Sequence, residues 1–160
     1  MKKMISFLTI ISFLLIGVYG CSQSQEDEPK EVAKQFITAK YQIDDYENIP
    51  DIAKNAEKYL TPEQLKRFRT NREGYMAQDV AKDLKVNIEV KDISLEEKKK
   101  EKNRVMYDYN VTILLKDQNG NEVHSVHKTG QITLINSDEK WLVDHDWSDK
   151  SKIPNTNFSL

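Results

Sequence analysis

The sequence predicts an α+β fold: N-terminal helices packed on a curved, mostly antiparallel sheet of about four strands. Three observations carry that expectation. From Arg104 to Trp147, apolar residues recur with a period of two, interrupted by two clusters of turn residues. From Val32 to Phe68 they recur at helical spacing instead. The chain has the length of one domain, so those helices are the available cover for the sheet's apolar face.

Residues 1–20 stand outside this fold. Lys2 and Lys3 give a positive start, Met4 to Val18 is an apolar run, and Gly20 precedes Cys21. The pattern is a secretory signal rather than a retained span. It resembles the signal of bacterial lipoproteins, in which a small residue precedes the lipidated cysteine. The resemblance implies cleavage before Cys21 and diacylglyceryl attachment to its sulfur. The membrane is then the first expected partner, held by acyl chains whose buried CH₂ groups contribute about 0.8 kcal/mol each. Cys21 is the single cysteine, so no internal disulfide is available and the fold must hold by packing.

Residues 21–29 are polar, acidic and aperiodic, and read as a tether. The folded domain is expected over residues 30–150, with a tail over 151–160. Pro29 suits the first turn of a helix whose apolar face is Val32, Ala33, Phe36, Ile37, Lys40 and Tyr41, ending near Asp44-Asp45. Ile49-Pro50 breaks the chain. Ile52, Ala53, Ala56, Tyr59 and Leu60 mark a second short helix. Thr61-Pro62-Glu63-Gln64 starts a third, with Thr61 as cap and Gln64 placed to complete a capping box; it stops before Gly74. Met76 to Leu84 fits either a further helical turn or an irregular crossing.

Val86, Ile88 and Val90 alternate, as do Ile93 and Leu95, with a phase shift between the two sets. A β-bulge near Lys91-Asp92 would return both to one face. Glu96 to Asn103 is a charge run that reads as a solvated hairpin loop. Val105, Tyr107, Tyr109, Val111, Ile113 and Leu115 form the buried side of the next strand. Asp117 to Gly120 turns the chain, and a strand follows near Val123 to Ile135. After the Asn136 to Glu139 turn, the last strand carries Trp141, Val143, His145 and Trp147 on one face.

Chemistry-bearing patterns are few. Ser125-Val126-His127-Lys128 and Lys128-Thr129-Gly130 match two motifs of acyl-serine enzymes, but they share Lys128, whereas the real elements meet across a cleft. His124 and His127 fall on opposite faces of a strand, so no metal site is expected. Asp144 and Asp146 flank His145 but point away from it. The residues that could line a cavity or ligand site are His145, Tyr107, Tyr109 and Trp141. Aromatic residues at alternating strand positions read as core rather than as a platform for glycan or peptide. No cofactor is expected. The formal charge is −2, and −4 once Lys2 and Lys3 are removed. That balance lacks the basic face of a nucleic-acid binder.

The back half carries a second resemblance. Val90-Lys91-Asp92-Ile93, Val105-Met106-Tyr107-Asp108-Tyr109 and Gly130-Gln131-Ile132-Thr133-Leu134 contribute to it. Lys140-Trp141-Leu142-Val143-Asp144-His145-Asp146-Trp147-Ser148, followed by Ile153-Pro154, contributes most. These segments resemble the nuclear-transport-factor-two-like domain at the N-terminus of low-affinity penicillin-binding proteins of Gram-positive bacteria. His145 stands where that pattern has an aromatic. The resemblance implies a cone-shaped, non-catalytic domain, and no catalytic residues carry over. Similar domains occur in stand-alone lipoproteins and in conjugation-machinery proteins.

The expected protein is therefore a small Gram-positive lipoprotein on the outer face of the cytoplasmic membrane. Its expected role is a non-enzymatic interaction module with an envelope-protein or cell-wall partner. One alternative is an accessory or exclusion lipoprotein of a conjugative element. Another is a small enzyme using the cone's cavity and His145.

Overall fold

A computed structural model describes residues 28–160 of the chain. The signal, Cys21 and most of the tether lie outside the described residues. Helix α1 (Glu28–Tyr41) begins with Glu28 and Glu31 and ends with Lys40, charges that complement the helix dipole. It buries Ala33, Phe36, Ile37, Lys40 and Tyr41. The helix stops at Tyr41, short of Asp44-Asp45, because Ile43 exchanges two backbone hydrogen bonds with Ile88 at 2.9 and 2.8 Å. Helix α2 (Ile52–Glu57) is capped by Asp51, whose Oδ1 accepts from the Lys54 amide at 3.0 Å.

Helix α3 (Pro62–Thr70) starts at Thr61, whose Oγ1 accepts from the Gln64 amide at 3.2 Å. The reciprocal half of the capping box is not made: Gln64 Oε1 is buried without a partner among the described residues. Helix α4 (Glu73–Leu84) settles the stretch around Met76 as a full helix. Gly74 lies in its first turn because a Cβ there would stand 2.7 Å from Phe68 Cε1. Phe68 in turn packs edge-on against Phe36, with ring centroids 6.1 Å apart.

Four strands follow as an antiparallel meander: β1 (Asn87–Glu101), β2 (Arg104–Lys116), β3 (Glu122–Ser137) and β4 (Lys140–Ser148). The helices cover one face of the sheet, and the fold is α+β and nuclear-transport-factor-two-like, as predicted. The expected bulge in β1 is present between Lys91 and Ser94, with Asp92 at a φ of 51°. The charge run is solvent-exposed as expected, but it is strand rather than loop: β1 continues to Glu101 and only Lys102-Asn103 turns. Asp138 and Glu139 both take positive φ between the paired residues Ser137 and Lys140, which is the geometry of a tight two-residue hairpin.

The inward face of β2 is as predicted. Val105, Tyr107, Tyr109, Val111, Ile113 and Leu115 are all buried. Trp141 is only half-buried, packed at the edge of the core rather than inside it. Residues 151–160 fold back as a small hairpin, with Ser151 and Leu160 bonded in both directions at 3.0 Å and Ile153 and Leu160 buried.

The main correction concerns β4. Thr133 pairs with His145 while the next residue, Leu134, pairs with Val143, so Asp144 is an extra residue bulged out of the ladder. A one-residue slip moves every later side chain to the other face. Val143 points inward as predicted, but after the bulge it is Asp146 that is buried. His145 and Trp147 are turned outward and exposed.

Gly130 gives a direct test of this packing. It pairs with Tyr109 and Ser148, and a Cβ there would sit 2.4 Å from the Trp147 carbonyl oxygen and 2.5 Å from Tyr109 Cζ. Gly130→Ala should therefore destabilise the protein by about 1–3 kcal/mol through overpacking. The measurement is the urea unfolding midpoint; a midpoint equal to wild type would mean that Tyr109 does not lie across Gly130.

Candidate functional site

The four residues expected to line one site are not brought together. Tyr107 and Tyr109 are core residues, each 1% exposed. Trp141 sits near the start of β4, and His145 faces solvent on the opposite side of the sheet. Of the four, Tyr109 joins a polar cluster inside the fold built on Asp146 and Lys40.

Lys40 and Asp146 are 5% and 6% exposed. Helix α1 carries Lys40 on its apolar face, one turn after Phe36, and the β4 bulge aims Asp146 at it. Lys40 Nζ donates to Asp146 Oδ2 at 2.6 Å, and the Tyr109 hydroxyl donates to Oδ1 at 3.2 Å. Glu73, at the start of α4, adds a second carboxylate 3.6 Å from the ammonium. The Lys40 and Lys128 ammonium groups lie 5.3 and 5.9 Å from the centroid of the Tyr41 ring. The Tyr41 hydroxyl lies 3.3 Å from Ser148 Oγ. Lys128 is itself buried and donates to the backbone oxygens of Asp149 and Leu160, which ties the C-terminal hairpin to β3.

Most of this arrangement fixes charge; Lys128 is the exception, its ammonium pulled down to about 8 because burial outweighs the nearby Asp149 and Asp146 carboxylates. Burial alone would pull the Lys40 ammonium down, but the Asp146 carboxylate, with Tyr41, Tyr109 and Glu73, holds it well above its ordinary value. Burial raises the Tyr41 and Tyr109 phenols, the Asp146 carboxylate adding to the rise in both. These three groups stay protonated through the physiological range. A proton donor or acceptor for catalysis needs a value close to the working pH; in this cluster Lys128 comes nearest, and its ammonium is engaged by the backbone oxygens of Asp149 and Leu160. A cleft of about 330 Å³ opens beside the pair, with Glu73, Met76 and Ser148 among its walls. Among the described residues, no group of three or more His, Cys, Asp or Glu side chains is placed to hold a metal.

Asp146 and Lys40 are the residues that sequence reasoning missed as a site. A signal for one of them existed: a lysine on the apolar stripe of an amphipathic helix needs a buried counter-charge. The partner was hidden by the bulge, which no alternation of apolar residues announces.

The architecture has precedents. The chain shares its fold with a periplasmic fragment of TraM, at 13% identity and a TM-score of 0.57, covering 79% of this chain and 97% of that one. It also shares it with an IcmL-like type IV secretion system protein from Legionella pneumophila subsp. pneumophila, at 12% identity and a TM-score of 0.62. That match covers 79% of this chain and 93% of the other. At these identities the likeness is one of fold. No protein-family model and no curated protein sequence matches the chain.

Two predictions follow from the ion pair. Lys40→Met leaves the buried Asp146 carboxylate without its cation and should cost about 3–5 kcal/mol; Asp146→Leu leaves Lys40 with Glu73 alone at 3.6 Å and should cost less, and the double replacement should recover most of the Lys40→Met loss. Chemical denaturation of the three variants checks this; a double variant no more stable than Lys40→Met alone would show that the pair is not the coupled unit. The second prediction is alkaline. The unfolded phenols lose protons near 10.0 and the unfolded lysine near 10.5, while the folded forms keep them. The unfolded state then binds fewer protons, so stability falls as pH rises above about 10 and is unaffected by these groups below that. Lys128, lower in the folded protein than in the unfolded chain, works the other way between about 8 and 10.5. Unfolding midpoints measured from pH 8 to 11 should therefore fall once the pH passes about 10.5, and a Tyr41→Phe, Tyr109→Phe variant should lessen the fall, Lys40 supplying the rest.

Proposed function

We propose that this chain is a lipid-anchored, non-catalytic interaction module on the outer face of the cytoplasmic membrane. Its setting is a conjugative or secretion assembly, which it serves as an accessory lipoprotein. The observation that carries the reading is the filled interior. The side chains that could have lined a cavity, Tyr107 and Tyr109, pack with Phe36 and Phe68, each at most 1% exposed. The buried ion pair beside them is satisfied internally, with the Lys40 ammonium held well above its ordinary value. His145, the acid–base candidate, is outside the cone. What remains for recognition is the outer surface.

The envelope setting is supported by the signal and Cys21 and by the fold. One neighbour is a periplasmic fragment and the other belongs to a type IV secretion system. The resemblance to penicillin-binding proteins suggests a cell-wall environment with the same spacer-like, non-catalytic character. The conjugative reading is preferred over an unspecified envelope role because it accounts for the secretion-system neighbour.

The anchor and the role are tested separately. Cys21→Ala should move the protein from the membrane fraction to the soluble or released fraction. Retention at the membrane with a mass equal to wild type would overturn the anchor. In cells carrying the conjugative element, loss of the protein should change transfer frequency, measured with the strain as donor and as recipient. The Lys40→Met, Asp146→Leu double variant should restore wild-type transfer, since it removes the buried Lys40–Asp146 pair while keeping the fold. Failure of that variant at wild-type protein level would favour chemistry in the cleft over binding at the surface.

A further inference from the structure

The β4 bulge has an outward consequence as well as an inward one. Trp147 is 59% exposed, in a molecule whose other large aromatic residues on the sheet are buried or half-buried. Tryptophan is highly buried on average in folded proteins, so an indole presented on a strand is informative. It stands at the end of a row of paired residues that crosses the outer face of the sheet: Glu96, Asp108, Gln131 and Trp147. Three strand spacings separate the ends, roughly 14 Å. Together with Asn110 and His145, these side chains line a groove of about 530 Å³.

The chemistry of the groove is specific in two respects. It has one exposed apolar plane, the Trp147 ring, beside carboxylate, amide, imidazole and hydroxyl groups, with Gly130 and the buried Tyr109 behind them. A protein hot spot is ringed by further side chains that exclude water, whereas here the other aromatic in the wall, Tyr109, is a core residue 1% exposed behind Gly130 and the remaining side chains are polar. It is also not cationic. Lys98 Nζ is held between Glu96 at 2.8 Å and Asp108 at 3.4 Å, so its charge is answered by two carboxylates. Phosphate-rich polymers find no basic row here. Asp108 is already oriented, its Oδ1 accepting from Gln131 Nε2 at 2.9 Å.

We infer that this outer groove binds an uncharged glycan, with the apolar face of one pyranose ring stacked on Trp147 and the ring hydroxyls bonded to Asp108, Gln131 and Asn110. An amphipathic ligand with one C–H face and equatorial hydroxyls matches an amphipathic groove with one aromatic plane and a polar floor. Carboxylate and amide groups supply both acceptors and donors for hydroxyls. The length of the row selects an oligosaccharide over a single sugar. The inference rests on the surface-recognition reading above and names its ligand class: an uncharged pyranose oligosaccharide.

The test uses the full lipidated chain in detergent with a tetramer of N-acetylglucosamine as probe, followed by tryptophan fluorescence and calorimetry. Saturable binding with a change in tryptophan emission is expected. Trp147→Ala should weaken it by at least about tenfold, with Trp147→Phe between the two. Asp108→Ala should weaken it without changing the thermal midpoint, since the residue lies on the surface. A lysine-rich peptide is the competing probe. Binding of that peptide without the tetramer would overturn the glycan assignment in favour of a cationic protein segment. Absence of tetramer binding, or binding unchanged in Trp147→Ala, would overturn it outright. None of these outcomes bears on the Cys21→Ala fractionation, so failure of the glycan inference and failure of the anchor reading remain distinguishable.

Discussion

The contact between Lys40 and Asp146 constrains most of the fold. It joins the last turn of α1 to the far end of β4, 106 residues away in sequence, at 2.6 Å and away from water. A buried ion pair is weak evidence for net stability, because desolvation of both charges offsets their attraction. Its effect here is on specificity. An unpaired carboxylate inside the sheet would be far more costly than any slip of apolar residues, so the pair selects one register for β4 and one seating for α1. Tyr109 and Glu73 strengthen that selection by bringing β2 and α4 to the same two charges.

The edges of the meander are managed by the same economy of small additions. The Tyr59 to Thr61 segment, between α2 and α3, hydrogen-bonds to both sides of Val143 at 2.8 and 3.0 Å. That covers the free edge of β4 just before the bulge, and the bulge itself spoils the ladder beyond it. At the other edge, the exposed half of β1 carries Glu96, Glu97, Lys98, Lys99, Lys100 and Glu101. A strand this charged is a poor template for pairing with another chain. The charge run therefore has a structural reason to exist as strand, which its composition alone did not convey.

Much of the architecture was legible because it depends on periodicity. The period of two from Val105 to Leu115 identified β2 and its buried face residue by residue, and the phase shift around Asp92 located a bulge. The cap at Thr61 placed α3 correctly. The failures share one physical origin. A bulge is readable only when apolar residues lie on both sides of it to show the change of phase. In β1 they do, at Val90 and Ile93. In β4 the residues after the bulge are His145, Asp146, Trp147 and Ser148, and the tryptophan continues the apolar alternation with the wrong phase. Hydrophobicity argued for burying Trp147 and exposing Asp146. The tertiary partner, Lys40, decided the reverse, and a lysine more than a hundred positions away is invisible to local pattern.

That reversal also links the two faces of the sheet. Asp146 and Trp147 are adjacent, so their side chains must point to opposite sides. Holding the carboxylate against Lys40 necessarily holds the indole out over Gln131, and Gly130 leaves room for the Trp147 carbonyl beside the Tyr109 ring. A β4 without the Asp144 bulge would bury the tryptophan and His145 and expose the carboxylate, losing the internal pair and the outer aromatic plane together. The interior therefore does not compete with the surface for this strand. A single inserted residue satisfies a buried lysine on one side and presents Trp147 and His145 on the other. The rigidity of the buried pair sets how firmly that outer plane is held.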